Sequence, residues 1–83
     1  MKYTLKGLVD RITHFNNEAE ARGLRSRLKY DNGENNTYKL LLGSADQFCF
    51  GTWQAVICEG TVRECTLALI ALYITLSFEL NMY

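Results

Sequence analysis

The first quarter of the chain repeats apolar residues at the spacing of an amphipathic helix. Thr4 places a side-chain oxygen before the first apolar position, as an N-cap does, and Gly23 suits the left-handed conformation that ends many helices. Between these two residues the pattern predicts a helix with one apolar stripe. The stripe consists of Leu5, Leu8, Val9, Ile12, Phe15 and Ala19.

The chain then changes to the period of two that is typical of β-strands. Residues 24–30 alternate Leu, Ser and Tyr with basic side chains, and residues 37–42 alternate Tyr and Leu with Thr37, Lys39 and Leu41. The connecting run Asp-Asn-Gly-Glu-Asn-Asn is rich in turn-forming residues and contains an Asn-Gly pair. We therefore expect a β-hairpin whose alternate positions point to a core and to an open face.

A third strand is predicted at residues 47–53. Phe48 and Phe50 have the parity of core-facing positions there. Residues 54–59, which include the apolar run Ala-Val-Ile-Cys, allow either an extension of the sheet or a buried connection. Both possibilities stay open from the sequence alone.

The last helix has a sharp start and two apolar stripes. Thr61 and Glu64 have the spacing of a capping box directly before an apolar run. We expect one stripe to pack on the sheet: Leu67, Ile70, Ala71, Ile74 and Phe78. The second stripe, spaced like a coiled-coil seam, consists of Cys65, Leu69, Leu72 and Leu76, continued by Leu80. This seam predicts a homodimer, unless the first helix and the chain ends cover it.

These elements predict an α+β fold with the order α-β-β-β-α. The architecture is a two-layer sandwich, in which both helices cover one face of a three-stranded antiparallel sheet. Because 83 residues leave nothing for a second core, we expect residues 1–83 to form a single domain.

The composition indicates a globular protein in a reducing compartment. The chain is 48% hydrophobic and 22% charged, as in an ordinary globular protein. Three cysteines without a CxxC pair favour free thiols in a cytoplasm, and the apolar run 65–78 is shorter than the roughly 20 residues of a membrane span. We expect no membrane insertion.

Catalytic and cofactor signatures are not evident in the sequence. The single His14 follows Asp10 by one turn, but no nucleophile elbow or phosphate-binding glycine loop accompanies it. His14 and the three cysteines also do not have the paired spacing of a structural zinc site. The sequence therefore predicts a protein that acts by binding, without an enzymatic activity, a metal or a cofactor.

The charges offer one candidate binding face. Residues 1–29 hold seven basic and three acidic side chains, although the net charge of the whole chain is zero. By parity, five residues share the open face of the sheet: Arg25, Arg27, Lys29, Lys39 and Trp53. Such a face can dock an acidic protein surface, or it can stack and neutralise nucleic acid.

Two resemblances bear on the partner. The order α-β-β-β-α resembles the double-stranded-RNA-binding domain, but the last helix begins with Thr61, Val62, Arg63 and Glu64 instead of a basic cluster. The helix, the hairpin at residues 24–43 and the closing Gly-Thr-Val-Arg-Glu-Cys before a Leu-rich helix resemble small phage-encoded proteins, including some anti-CRISPR proteins.

The second resemblance, which rests on size and element order, implies a phage or mobile-element protein in the host cytoplasm. It implies a stoichiometric inhibitor of a bacterial defence complex, such as a CRISPR–Cas ribonucleoprotein, or of a regulatory complex. The alternative is a small RNA- or DNA-binding regulator that uses the same basic face.

Overall fold

A computed structural model of the chain describes residues 2–44 and 55–76. The order is α1 (Leu5–Ala21), β1 (Ser26–Asn32), β2 (Tyr38–Ser44), β3 (Ala55–Gly60) and α2 (Val62–Thr75). The strands form one antiparallel sheet in the order β1-β2-β3. Side chains of both helices share a single core cluster with Leu28 of β1 and Leu40 of β2. The predicted α+β order, with both helices on one face of the sheet, is confirmed.

Helix α1 begins and ends as its sequence predicts. The side chain of Thr4 accepts a hydrogen bond from the Gly7 N–H at 3.0 Å. After the last turn, Gly23 adopts a φ of +73°, and the N–H of Leu24 donates to the carbonyl of Ala19 at 2.8 Å. The side chains buried by this helix are Leu8, Ile12, Phe15 and Ala19.

The hairpin is confirmed, but its tip is not the Asn-Gly pair. Asn35 and Asn36 both have positive φ, and the N–H of Thr37 donates to the carbonyl of Glu34 at 3.1 Å. Two successive positive φ values are the signature of a type I′ turn, and Asn tolerates them better than most residues. Gly33 lies just before this turn, where its N–H donates to the carbonyl of Thr37 at 2.8 Å.

The third described strand is Ala55–Gly60. Of the two possibilities left open for residues 54–59, extension of the sheet is therefore the one observed. Its pairing with β2 shifts by one residue between Leu40 and Leu41. Leu40 lies opposite Cys58, whereas Leu41 lies opposite Val56, which leaves Ile57 as the extra residue of a bulge. The strand predicted at 47–53, with Phe48 and Phe50, lies outside the described residues.

Helix α2 begins with the predicted capping box. The N–H of Glu64 donates to the Thr61 hydroxyl at 3.2 Å, and the N–H of Thr61 donates to the Glu64 carboxylate at 3.1 Å. The helix buries Cys65, Thr66, Leu69 and Tyr73 against the sheet and α1.

The predicted assignment of the two apolar stripes of α2 is therefore wrong, because the structure exchanges them. Leu67 is 40% exposed and Ile74 is 63% exposed, although both were expected to pack on the sheet. Ala71, from the same predicted stripe, is also exposed, and Ile70 is half-buried. Phe78 lies outside the described residues.

Side-chain hydrogen bonds join α1 to β1 and to α2. The amide of Asn16 donates to the carbonyl of Leu28 at 3.0 Å and accepts from the Leu28 N–H at 2.8 Å. Because β1 is an end strand of the sheet, these two bonds lie along its outer edge. The hydroxyl of Tyr73 on α2 donates to the carbonyl of Arg11 on α1 at 3.0 Å.

Candidate binding surfaces

The face of the sheet turned away from the helices brings three predicted site residues together. Arg27 and Lys29 flank the core residue Leu28 along β1, so their side chains start on the opposite face. Lys39 has the same relation to Leu40 on β2. Lys29 therefore lies between the other two, next to Arg27 along β1 and diagonally across from Lys39 on β2.

Acidic side chains alternate with these basic ones. Asp31 lies directly opposite Lys39 in the β1–β2 register, and Glu59 lies opposite Lys39 in the β2–β3 register. The Nζ atom of Lys29 is 3.9 Å from Oδ2 of Asp31. Cross-strand pairs of opposite charge stabilise a sheet modestly, and here they also divide the positive charge into small patches. We call the face of the sheet that carries these charges the open face; its charged residues are Arg27, Lys29, Asp31, Lys39 and Glu59.

An apolar strip runs beside the charges of the open face. Leu41 lies between Lys29 and Val56 in the two registers, and it is only 8% exposed although it is not part of the helix-side core. Val56 is 54% exposed and Ile57 is 37% exposed on the end strand β3. The open face thus combines accessible apolar atoms with a charged surround, which is the composition of many protein interfaces.

The other two residues predicted for this face do not join it in the same way. Arg25 is exposed, but it lies in the connection before β1 and not in the strand. Trp53 lies outside the described residues.

The predicted dimer seam does not form a surface. Cys65 and Leu69 have no exposed area, and Leu72 packs against the core cluster, so none of the three is available as a principal contact for a second copy. Leu76 follows the helix and is 37% exposed, and Leu80 lies outside the described residues. The exposed apolar side chains within α2 are instead those of Leu67 and Ile74. The homodimer itself stays a prediction.

Two residues that organise the described structure were not singled out by the sequence pattern. Asn16 is a polar residue at the boundary of the α1 stripe, and Tyr73 belongs to neither aliphatic stripe of α2. Tyr73 nevertheless fits the Cys65–Leu69 series, because it follows Leu69 by four residues. A pattern that counts tyrosine as apolar, with a polar tip that needs a partner, would have included it.

The described ranges hold no arrangement of three or more His, Cys, Asp or Glu side chains that could bind a metal ion. In the same ranges, neither helix has the length and apolar character needed to cross a membrane. Comparisons of the chain with protein-family models, with curated proteins and with solved structures give no match.

Proposed function

We propose that this chain is a stoichiometric binding protein that inhibits a bacterial protein or ribonucleoprotein complex by docking through its open face. The observation that carries the proposal is the alternation of basic and acidic side chains beside exposed Val56 and Ile57. The class of target, a defence complex of the CRISPR–Cas kind or a regulatory complex, comes from the resemblance in size and element order to small phage proteins. A phage or mobile-element origin belongs to the same proposal.

The charge pattern favours a protein partner over nucleic acid. A polyphosphate backbone is uniformly negative, so it is bound mainly by basic residues, and carboxylates among them weaken the attraction. Asp31 and Glu59 flank Lys39 on the open face and would repel phosphates at that point. A protein surface can place a cation opposite each carboxylate and a carboxylate opposite each basic group.

The partner surface that fits has a definite chemistry. It presents carboxylates to Arg27 and to the exposed Arg25 next to it, because Arg forms bidentate pairs with carboxylates. It presents an apolar patch to Val56 and Ile57, whose removal from water would supply most of the affinity. Steering by the charges mainly raises the rate of association.

A capture experiment with a charge-matched control tests the proposal. The unchanged chain, Arg25→Glu/Arg27→Glu and Lys2→Glu/Lys6→Glu are immobilised and exposed to nuclease-treated bacterial lysate. Both double variants change the net charge equally, but the second alters the start of α1, where acidic residues favour the helix dipole. We expect the unchanged chain and the control to retain one stoichiometric protein, and the Arg variant to lose it. Equal retention by all three would reject the open face.

Salt dependence separates the alternative, a nucleic-acid-binding regulator. If Arg27, Lys29 and Lys39 each neutralised a phosphate, affinity would fall by about 40-fold between 50 and 200 mM salt, and more with further contacts. A complex dominated by apolar contacts weakens far less over this interval. Recovery of nucleic acid alone, lost after nuclease treatment, would favour the regulator.

A further inference from the structure

Two cysteines meet where β3 leads into α2. Cys58 lies on the helix-facing side of β3, opposite Leu40, and Cys65 lies in the first turn of α2. The Sγ atom of Cys65 is 3.5 Å from the carbonyl oxygen of Tyr38 and 3.9 Å from that of Gly60. Tyr38 and Gly60 are the next core-facing pair after Leu40 and Cys58, so the two thiols lie above adjacent pairs of the same face.

The two thiols differ in their exposure to solvent. Both are reduced in the structure, and their sulfur atoms are close enough to interact as hydrogen-bonding groups. Cys58 is half-buried at the rim of the core cluster, whereas Cys65 is fully buried. A small reagent can therefore reach Cys58 from solvent, and of the two described cysteines Cys58 is the one through which an oxidant reaches buried Cys65.

We propose that Cys58 and Cys65 are a reversible disulfide site, oxidised by exchange with a low-molecular-weight disulfide such as glutathione disulfide. The Cys58 thiolate attacks one sulfur of that disulfide, forms a mixed disulfide and releases one thiolate. The Cys65 thiolate then attacks Sγ of Cys58, forms the Cys58–Cys65 bond and releases the second thiolate. The chain loses two electrons and two protons, and the small disulfide is reduced to two thiols.

The second step controls the rate. Burial raises the pKa of the Cys65 thiol to about 11, and the neighbouring Cys58 thiol and Glu64 carboxylate act in the same direction. Only the thiolate attacks a disulfide, so a small fraction of Cys65 reacts at neutral pH. The thiolate fraction rises about tenfold for each unit of pH below that pKa. Brief exposure to the oxidant therefore does not form the Cys58–Cys65 bond, and sustained exposure forms it.

Peptide mapping of the unchanged chain tests the site. The folded chain is incubated with glutathione disulfide at pH 7 and pH 8, quenched in acid, alkylated and digested with trypsin and chymotrypsin. Trypsin cuts after Arg63, between Cys58 and Cys65, and chymotrypsin cuts after Trp53, between Cys49 and Cys58. We expect a linked Cys58–Cys65 peptide pair from a monomer, formed about tenfold faster at the higher pH.

Other products would overturn the proposal. These are a lasting glutathione adduct on Cys58 beside a free Cys65, a disulfide that includes Cys49, a disulfide between two chains, or no reaction. The variant Cys58→Ser is the matched control, and its Cys65 should stay a free thiol throughout. If that variant fails to fold, the peptide map of the unchanged chain, with its fold verified by circular dichroism, decides the question alone.

Discussion

Tyr73 joins the two helices through both ends of its side chain. Its hydroxyl donates to the carbonyl of Arg11, and its ring stacks on that of His14, with centroids 5.8 Å apart and an interplanar angle of 12°. Phe15 meets the same ring edge to face at 5.6 Å. An aromatic residue with a polar tip favours a position where the ring is buried and the hydroxyl finds a partner. This position fixes which side of α2 faces inward.

Glu64 and Gly60 form a second tightly fitted pair at residue scale. A Cβ atom on Gly60 would lie 2.8 Å from Oε1 of Glu64, so the absence of a side chain there leaves room for the carboxylate. Hydrogen bonds from the N–H and the hydroxyl of Thr61 lower the pKa of Glu64 below its ordinary value of 4.5. The charged form of Glu64 therefore stabilises the folded chain.

This lowered pKa gives a pH-dependent contribution to stability. The contribution of Glu64 is fully present above about pH 4.5 and is lost as the pH falls through the lowered pKa of the folded state. We expect Glu64→Gln to reduce the urea midpoint at pH 7 and to differ less from the unchanged chain near pH 3, because the lower pH protonates more of Glu64. In a Thr61→Ala background the effect of Glu64→Gln at pH 7 should be much smaller. An equal effect at both pH values would contradict this account.

At the scale of elements, α2 shows where hydrophobic periodicity stops being informative. Apolar residues occupy nearly all sides of this helix, so more than one rotation about its axis buries a continuous stripe. The capping box determines where the helix begins, but it does not distinguish these rotations. The choice follows from packing, because Cys65 and Tyr73 together fit the surface of β2, β3 and α1. Such complementarity is not encoded in the spacing of one segment.

Paired truncations test the observed rotation of α2. Leu69→Ala removes a fully buried side chain and should lower the free energy of unfolding by about 2–5 kcal/mol. Ile74→Ala removes a side chain that is 63% exposed and should cost less than about 1 kcal/mol. Urea unfolding followed by circular dichroism measures both. A larger loss of unfolding free energy for Ile74→Ala than for Leu69→Ala would instead support the rotation of α2 that the sequence pattern predicted.

At the scale of the whole molecule, local patterns predicted the element order well. The strand parity that placed Arg27, Lys29 and Lys39 on one face needed only the period of two and the hairpin. The alternation with Asp31 and Glu59 was harder to predict, because it depends on the register of three strands and on the bulge near Leu41. The β2–β3 register could not be derived from either strand alone.

A single mutation can test how much the contact between α1 and β1 contributes to stability. Asn16→Ala leaves both peptide groups of Leu28 without the partners that the amide supplies, which should cost about 1–3 kcal/mol. Asn17→Ala, which truncates the exposed neighbour on the same helix, should be nearly neutral. Chemical unfolding of the two variants measures the difference. Equal stabilities would mean that water replaces the amide without loss.

Asn16 also limits how molecules of this chain can polymerise. Its amide occupies the N–H and the carbonyl of Leu28 as a neighbouring strand would, so an incoming strand finds this edge interrupted. A filament built by strand addition requires two receptive edges on every subunit. At the β1 edge, therefore, an added strand from a second molecule would first have to displace the Asn16 amide from Leu28.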